Sequence, residues 1–166
     1  LAGSNVGLLL FTETMIRQLN SHVRVQLMES LEASEHFSAD LLPILENNLN
    51  LGTEDPEILL SYLDLLVDLE QDISGQVHSL EIISNENPYL LDRVYNLMRS
   101  IMDQNEFRDL LLGDLNREGI RSYRAAEALG MLLESDSLND VSRNMIRQEV
   151  LKQSSNKNRS VLDSAV

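Results

Sequence analysis

Leucines and isoleucines at steps of three and four residues, each run opened by a capping signal, leave this chain little to form except helices packed on helices. Asp55-Pro56 reads as an N-cap followed by proline at the first helical position, where the N–H it lacks would have no helical partner anyway. Behind it Ile58, Leu59, Tyr62, Leu63, Leu66 and Leu69 fall on one side, with Asp64, Asp68 and Glu70 on the other. Ile73, Val77, Leu80 and Ile83 resume the period after a break near Asp72 to Gly75. Asn87-Pro88 repeats the start signal ahead of Leu91, Val94, Met98 and Ile101. A short element around Phe107, Leu110 and Leu111 is expected to end at Gly113. Gly119 opens a stretch with Tyr123, Ala126, Leu129 and Leu133 on one side, and Asn139 or Asp140 is expected to cap a last helix. Upstream, Ser21 and Ser38 read as caps, with Pro43 early enough in its helix to be tolerated. Val23 to Leu27 also alternates as a strand does, but its neighbours are helix formers.

Three prolines, seven glycines and no hairpin dipeptide weigh against a β fold. The expected class is therefore all-α. The strongest starts, Asp55, Asn87 and Gly119, lie about thirty residues apart. That spacing suits a stack of helix-pair repeats, whose periods run to roughly 33–47 residues. An irregular helical bundle explains it equally well. At 166 residues the chain is long enough for one domain with a real core, expected over residues 1–151. Residues 152–166 are expected to be a flexible polar tail, because Lys152 to Ser160 offers almost nothing to bury against its ordering entropy.

Charge divides the chain. Val25 to Asp92 contains fifteen Asp or Glu and no Lys or Arg, whereas residues 93–166 hold eleven of each sign. The formal charge of -14 thus arises in residues 1–92. A one-signed field repels anions and draws basic surfaces, so nucleic acid is excluded as a partner and a cationic segment of a protein is favoured. Asp64, Asp68 and Asp72, four residues apart, read as one helix face. They are either the wet side of an amphipathic helix or a docking face, and the lack of interspersed lysine favours docking. No segment approaches the ~20 apolar residues that span a bilayer, so no membrane role is expected. The apolar run from Gly7 to Phe11 has no basic stretch before it, as a signal peptide would. A first residue of Leu1 rather than Met is what an excised fragment would show. The absence of cysteine removes disulfides, thiolate metal sites and a cysteine nucleophile, and leaves the compartment open.

Convergent catalytic groups are scarce, and neither catalysis nor a cofactor is expected. Glu32, His36 and Asp40 would share a face on one continuous helix and could ligate a metal, but Phe37-Ser38 reads as a helix boundary, so no metal site is assigned. There is no H-E-x-x-H, phosphate loop or G-x-S-x-G. Arg117, Arg121 and Arg124 gather at a helix start, where an anion reader would want them, yet Glu118 and Glu127 are near enough to pair with them. Met98, Met102, Met131 and Met145 suit either an adaptable groove or a core. Asn158-Arg159-Ser160 is a glycosylation sequon, and Ser164-Ala165-Val166 resembles a C-terminal PDZ ligand.

Several stretches resemble one family. Leu63-Asp64-Leu65-Leu66-Val67-Asp68-Leu69-Glu70-Gln71-Asp72-Ile73 is similar to the leucine-rich, acid-ending helix of the armadillo-type nucleotide exchange factors of DnaK-type heat-shock chaperones. Asn85-Glu86-Asn87-Pro88, Arg93-Val94 and the run from Ile101 to Phe107 resemble that family's next repeat and its Gln-Asn closing turn. Ala125 to Gly130 resembles the small-residue helix that follows. The resemblance spans residues 57–133, is nearest the luminal branch through Asn85-Glu86-Asn87, and lacks the family's Gly-Gly-Leu. It implies an armadillo/HEAT-like α-solenoid that grips the ATPase domain of a DnaK-type chaperone and promotes nucleotide release. It also implies residence in the endoplasmic reticulum lumen, with the cytoplasm as the alternative. Partner contacts are expected at Asp64, Asp68 and Asp72, with Tyr95 and Arg99 as anchors.

Overall fold

Capping chemistry sets where the helices begin. The structure, a computed structural model, describes residues 2–17, 20–33, 39–49, 54–135 and 138–163. Among them are nine α-helices and no strand, so the chain is all-α, a helical bundle or repeat fold. The contacts gather into two compact units, residues 1–79 and 80–166, where the sequence suggested one domain over 1–151.

The first unit holds α1 (Ala2–Ile16), α2 (Ser21–Glu32), α3 (Leu42–Asn48) and α4 (Pro56–Asp68). Asp55 caps α4 as expected, its carboxylate accepting from the Glu57 N–H at 3.0 Å. The cap of α2 is Asn20, which accepts from the His22 N–H at 3.0 Å, so Ser21 is the first helical residue rather than the cap. The second expected cap, Ser38, lies outside the described residues. Val23 to Leu27 is helical, which removes the strand alternative. On α4 every residue from Ile58 to Leu63 is buried, as is Leu65, and the helix packs along α2. With α1 packed on both α2 and α3, the core of this unit forms around Ile16, Met28, Leu31, Leu45 and the buried residues of α4.

The end of α4 departs from expectation. Glu70 adopts φ 55°, its N–H donates to the Val67 carbonyl at 2.9 Å, and the Gln71 N–H reaches back to Leu66 at 2.8 Å. This pair of bonds is the Schellman closure, which normally places glycine where Glu70 stands. The turn ends the helix before Asp72, whose carboxylate instead accepts from the Ser74 N–H at 2.8 Å and opens a 3-10 turn at Ser74–Gln76.

In the second unit α5 (Val77–Glu86), which the unit boundary crosses, leads through a 3-10 turn at Pro88–Leu90 into α6 (Leu91–Ile101). Then come α7 (Gln104–Leu115), α8 (Ile120–Glu134) and α9 (Asp140–Asp163). The pairing of α7 with α8 is the most extensive, α6 packs on both, and α9 lies on α7 and α8. Leu91, Val94, Tyr95, Met98, Phe107, Leu111, Leu129, Leu132 and Ile146 fill the space between them. Asp103 caps α7 through the Asn105 and Glu106 N–H groups at 2.7 and 3.1 Å, so Gln104 and Asn105 form its first turn rather than a closing turn. Asn139 accepts from the Ser142 N–H at 2.8 Å at the start of α9. Gly113 does not end α7, which runs on to Leu115. The tail expected from residue 152 is helical as far as Asp163. Residues 140–163 contain neither proline nor glycine, and extending a helix already nucleated on α7 and α8 needs no new nucleus.

Two glycine exchanges of opposite sense follow from these backbones. Replacing Glu70 by Gly relieves a left-handed conformation and is expected to stabilise by about 0.5–1 kcal/mol. Replacing the helical Gly113 by Ala, whose new methyl meets nothing within 4 Å, is expected to stabilise by about 0.5–1 kcal/mol through the unfolded state. Urea denaturation of each variant against the parent measures both.

Candidate interaction surfaces

A buried carboxylate organises the second unit. Asp114, on the inner side of α7, is only 8% exposed, and Arg121 in the first turn of α8 is 11% exposed. The Arg121 guanidinium donates to Asp114 Oδ2 at 3.0 Å, to Asn85 Oδ1 at 3.2 Å and, in a short contact, to the Ser84 carbonyl in the last turn of α5. The Tyr95 hydroxyl on α6 donates to the same Oδ2 at 2.8 Å. Arg117 closes the set, its Nε lying 3.2 Å from Asp114 Oδ1. Three helices, α6, α7 and α8, thus meet at one carboxylate, and Arg121 ties α5 to them. Burial, followed by the hydrogen bond and charge of Asp114, pushes the Tyr95 hydroxyl far above the ordinary phenol range. In the first unit burial, with Glu46 beside it, pushes Tyr62 up to about 12.

Tyr95 also floors a groove between α6 and α8. One cleft of about 220 Å³ is lined by Asp92, Tyr95, Asn96, Arg124, Glu127, Ala128 and Met131. At its rim Arg124 donates to Asp92 at 3.1 Å and Glu127 at 2.9 Å. A second cleft of about 130 Å³ lies where α6 gives way to α7, lined by Arg99, Met102, Gln104 and Phe107 with Leu132 of α8. Asp92 near Arg124, and Arg99 with Leu132, mean that α6 and α8 run side by side in one direction. The groove is shallow and mixed in character. Its lining holds Arg124, Asp92 and Glu127 as charged groups, already paired with one another.

The residues singled out from the sequence are only partly brought together. Asp68 and Asp72 are exposed, but Asp64 is half-buried on α4 and Asp72 stands beyond the helix end. The expected face of three aspartates is therefore not one helix face, because the left-handed Glu70 redirects the chain between the second and third. Hydrogen bonding from Ser74 holds the Asp72 carboxyl below its usual range. Tyr95, expected as an anchor, is buried with its hydroxyl engaged by Asp114. Arg99 is exposed in the last turn of α6 and lines the second cleft.

Arg117, Arg121 and Arg124 do not converge on an anion; carboxylates and carbonyls of their own unit hold all three. Of the methionines, Met98 is core, while Met131 and Met145 are exposed. No set of three or more His, Asp or Glu able to hold a metal occurs among the described residues. His36 lies outside them, as does Ser164-Ala165-Val166. The sequence pattern gave no sign of the role of Asp114, since an aspartate within a helix shows only as an interruption of its apolar stripe and its partners lie on other helices. Among the described residues no helix is long and apolar enough to cross a membrane. Comparison with protein-family models, curated proteins and solved structures returns no match.

Two measurements test the brace. Asp114→Asn leaves the Arg121 charge buried without its counter-ion and is expected to cost about 3 kcal/mol in urea denaturation. The raised Tyr95 pKa stabilises the native state fully below the unfolded phenol value of 10.0, and that stabilisation fades as the pH rises toward the native value. Stability is therefore expected to decline above that pH, and Tyr95→Phe to flatten the decline while costing about 1 kcal/mol at neutral pH.

Proposed function

We propose that this chain is a non-enzymatic, protein-binding helical module whose acidic first unit docks a cationic segment of another protein. One observation carries the reading. Residues 1–79 hold thirteen Asp and Glu, and their two basic side chains other than histidine are Arg17 and Arg24. Arg17 sits 2.5 Å from Glu13, and Arg24 is engaged with Glu54. No further Lys or Arg of the unit is left for the exposed carboxylates of Glu29, Asp40, Glu46, Glu57, Asp68, Glu70 and Asp72. Three of these fall within the five residues 68–72, at most about 14 Å of extended chain, well inside the Debye length of about 30 Å at about 0.01 M salt, so at low salt their charges reinforce one another. A surface with both signs interspersed would cancel this field. Here it persists, steers a basic partner and raises its rate of encounter.

The co-chaperone role implied by the resemblance is the narrower form of the same proposal. It rests on the motifs between residues 57 and 133 and on the acidic helix they include. It requires tighter binding to the nucleotide-free form of a DnaK-type ATPase domain. A hundredfold shift between two states of that partner needs about 2.7 kcal/mol of differential affinity.

The test is kinetic. Association of a lysine-rich peptide should slow several-fold when salt is raised from low values to about 0.15 M. The combined exchange Asp68→Asn, Glu70→Gln, Asp72→Asn should slow it by roughly threefold to tenfold at low salt with helix content unchanged. Salt-independent association would sink the docking proposal. Absence of binding to the ATPase domain at tens of micromolar would remove only the co-chaperone form.

A further inference from the structure

The second unit differs from the first in its charge balance. Its fourteen acidic and eleven basic residues nearly cancel, and large apolar side chains stand in solvent on α5, α8 and α9. On α8, Met131, which lines the cleft with α6, is 64% exposed, and Tyr123, beside the cleft-lining Arg124, is 59% exposed. On α9, Val141 is 73% and Leu151 66% exposed, on the side away from the buried Ser142 and Ile146. One surface is concave and the other is the convex back of a helix, and both belong to the same unit.

Their charges are complementary in register. On α6, Asp92 and Arg99 lie seven residues apart on one face, about 10.5 Å along the axis; Asp92 lines the first cleft and Arg99 the second. Asp140 and Arg147 on α9 share that spacing and also lie on one exposed face. Laid antiparallel, α9 sets Arg147 beside Asp92 and Asp140 beside Arg99. Val141 and Leu151 then come against Ala128, Met131 and Tyr123. Arg99 and Arg147 are exposed. Asp92 already holds Arg124 at 3.1 Å yet is 53% exposed, so it can accept a second cation.

We infer that α9 of one copy of this chain seats in the α6–α8 groove of a second copy, making the second unit a twofold self-association surface. Because groove and helix are carried by one unit, a symmetric pair makes each contact twice and closes. The apolar side chains supply burial, and the two ion pairs fix the direction of the helix in the groove. This surface is independent of the acidic docking unit, since none of its residues lies within residues 1–79.

Sedimentation velocity on the full chain across a wide concentration range is the test. A reversible monomer–dimer equilibrium is expected. Asp92→Arg alone and Arg147→Asp alone should each weaken it by at least about tenfold, about 1.4 kcal/mol. Combining them in one chain should restore it, with helix content constant throughout. Met131→Glu, at an exposed position that does not threaten the fold, should abolish the dimer. A chain that stays monomeric at several hundred micromolar overturns the inference. So does a dimer indifferent to the single reversals, or one that the double reversal fails to rescue.

Discussion

Burying a carboxylate among apolar helices is costly unless its oxygens are fully met, and the second unit is arranged around meeting that demand for Asp114. Tyr95 from α6, Arg121 from α8 and Arg117 from the α7–α8 turn all reach it, while Arg121 also takes the Ser84 carbonyl of α5. Apolar packing alone tolerates helices sliding by a turn or rotating, because one leucine resembles another. A hydrogen-bonded carboxylate does not tolerate it, since a shift strands the Arg121 charge. The brace therefore sets the register of α6 against α8, and with it the groove floored by Tyr95.

The two units meet water differently. The first covers its helices with carboxylates and uses its two arginines locally, so its field extends outward. The second balances its charges, consumes most of its arginines in internal contacts, and leaves aromatic and thioether side chains exposed. Long-range attraction suits a basic, extended partner that needs no fixed shape. Short-range apolar contact suits a rigid helix that matches a groove. The docking and the self-association proposed above thus draw on different residues.

Much of the helical order was legible beforehand. Asp55-Pro56, Asn87-Pro88 and Gly119 each precede a helix, because an N-cap acceptor, a proline or a glycine acts on the few residues beside it. Local signals failed where two local solutions compete. Ser21 yielded to Asn20, whose side chain better reaches the second helical N–H. Gly113 is tolerated within α7 because packing of Leu111 and Leu115 outweighs a propensity penalty of about 1 kcal/mol. Glu70 takes a glycine-like conformation for which no glycine signal exists, and that turn is what separated Asp72 from Asp68.

Composition and periodicity by themselves determined the helical class, the places where most helices start and the one-sided charge of the first ninety residues. Each depends on neighbours in sequence or on simple counting. Only the tertiary structure decided that Tyr95 lies inside with its hydroxyl on Asp114, that Arg117, Arg121 and Arg124 serve their own unit, and that Asp92 and Arg99 each line a cleft of the second unit. Those facts depend on which helix faces come together. Three-dimensional packing selects among many faces of similar apolar content, and a periodic sequence does not distinguish them.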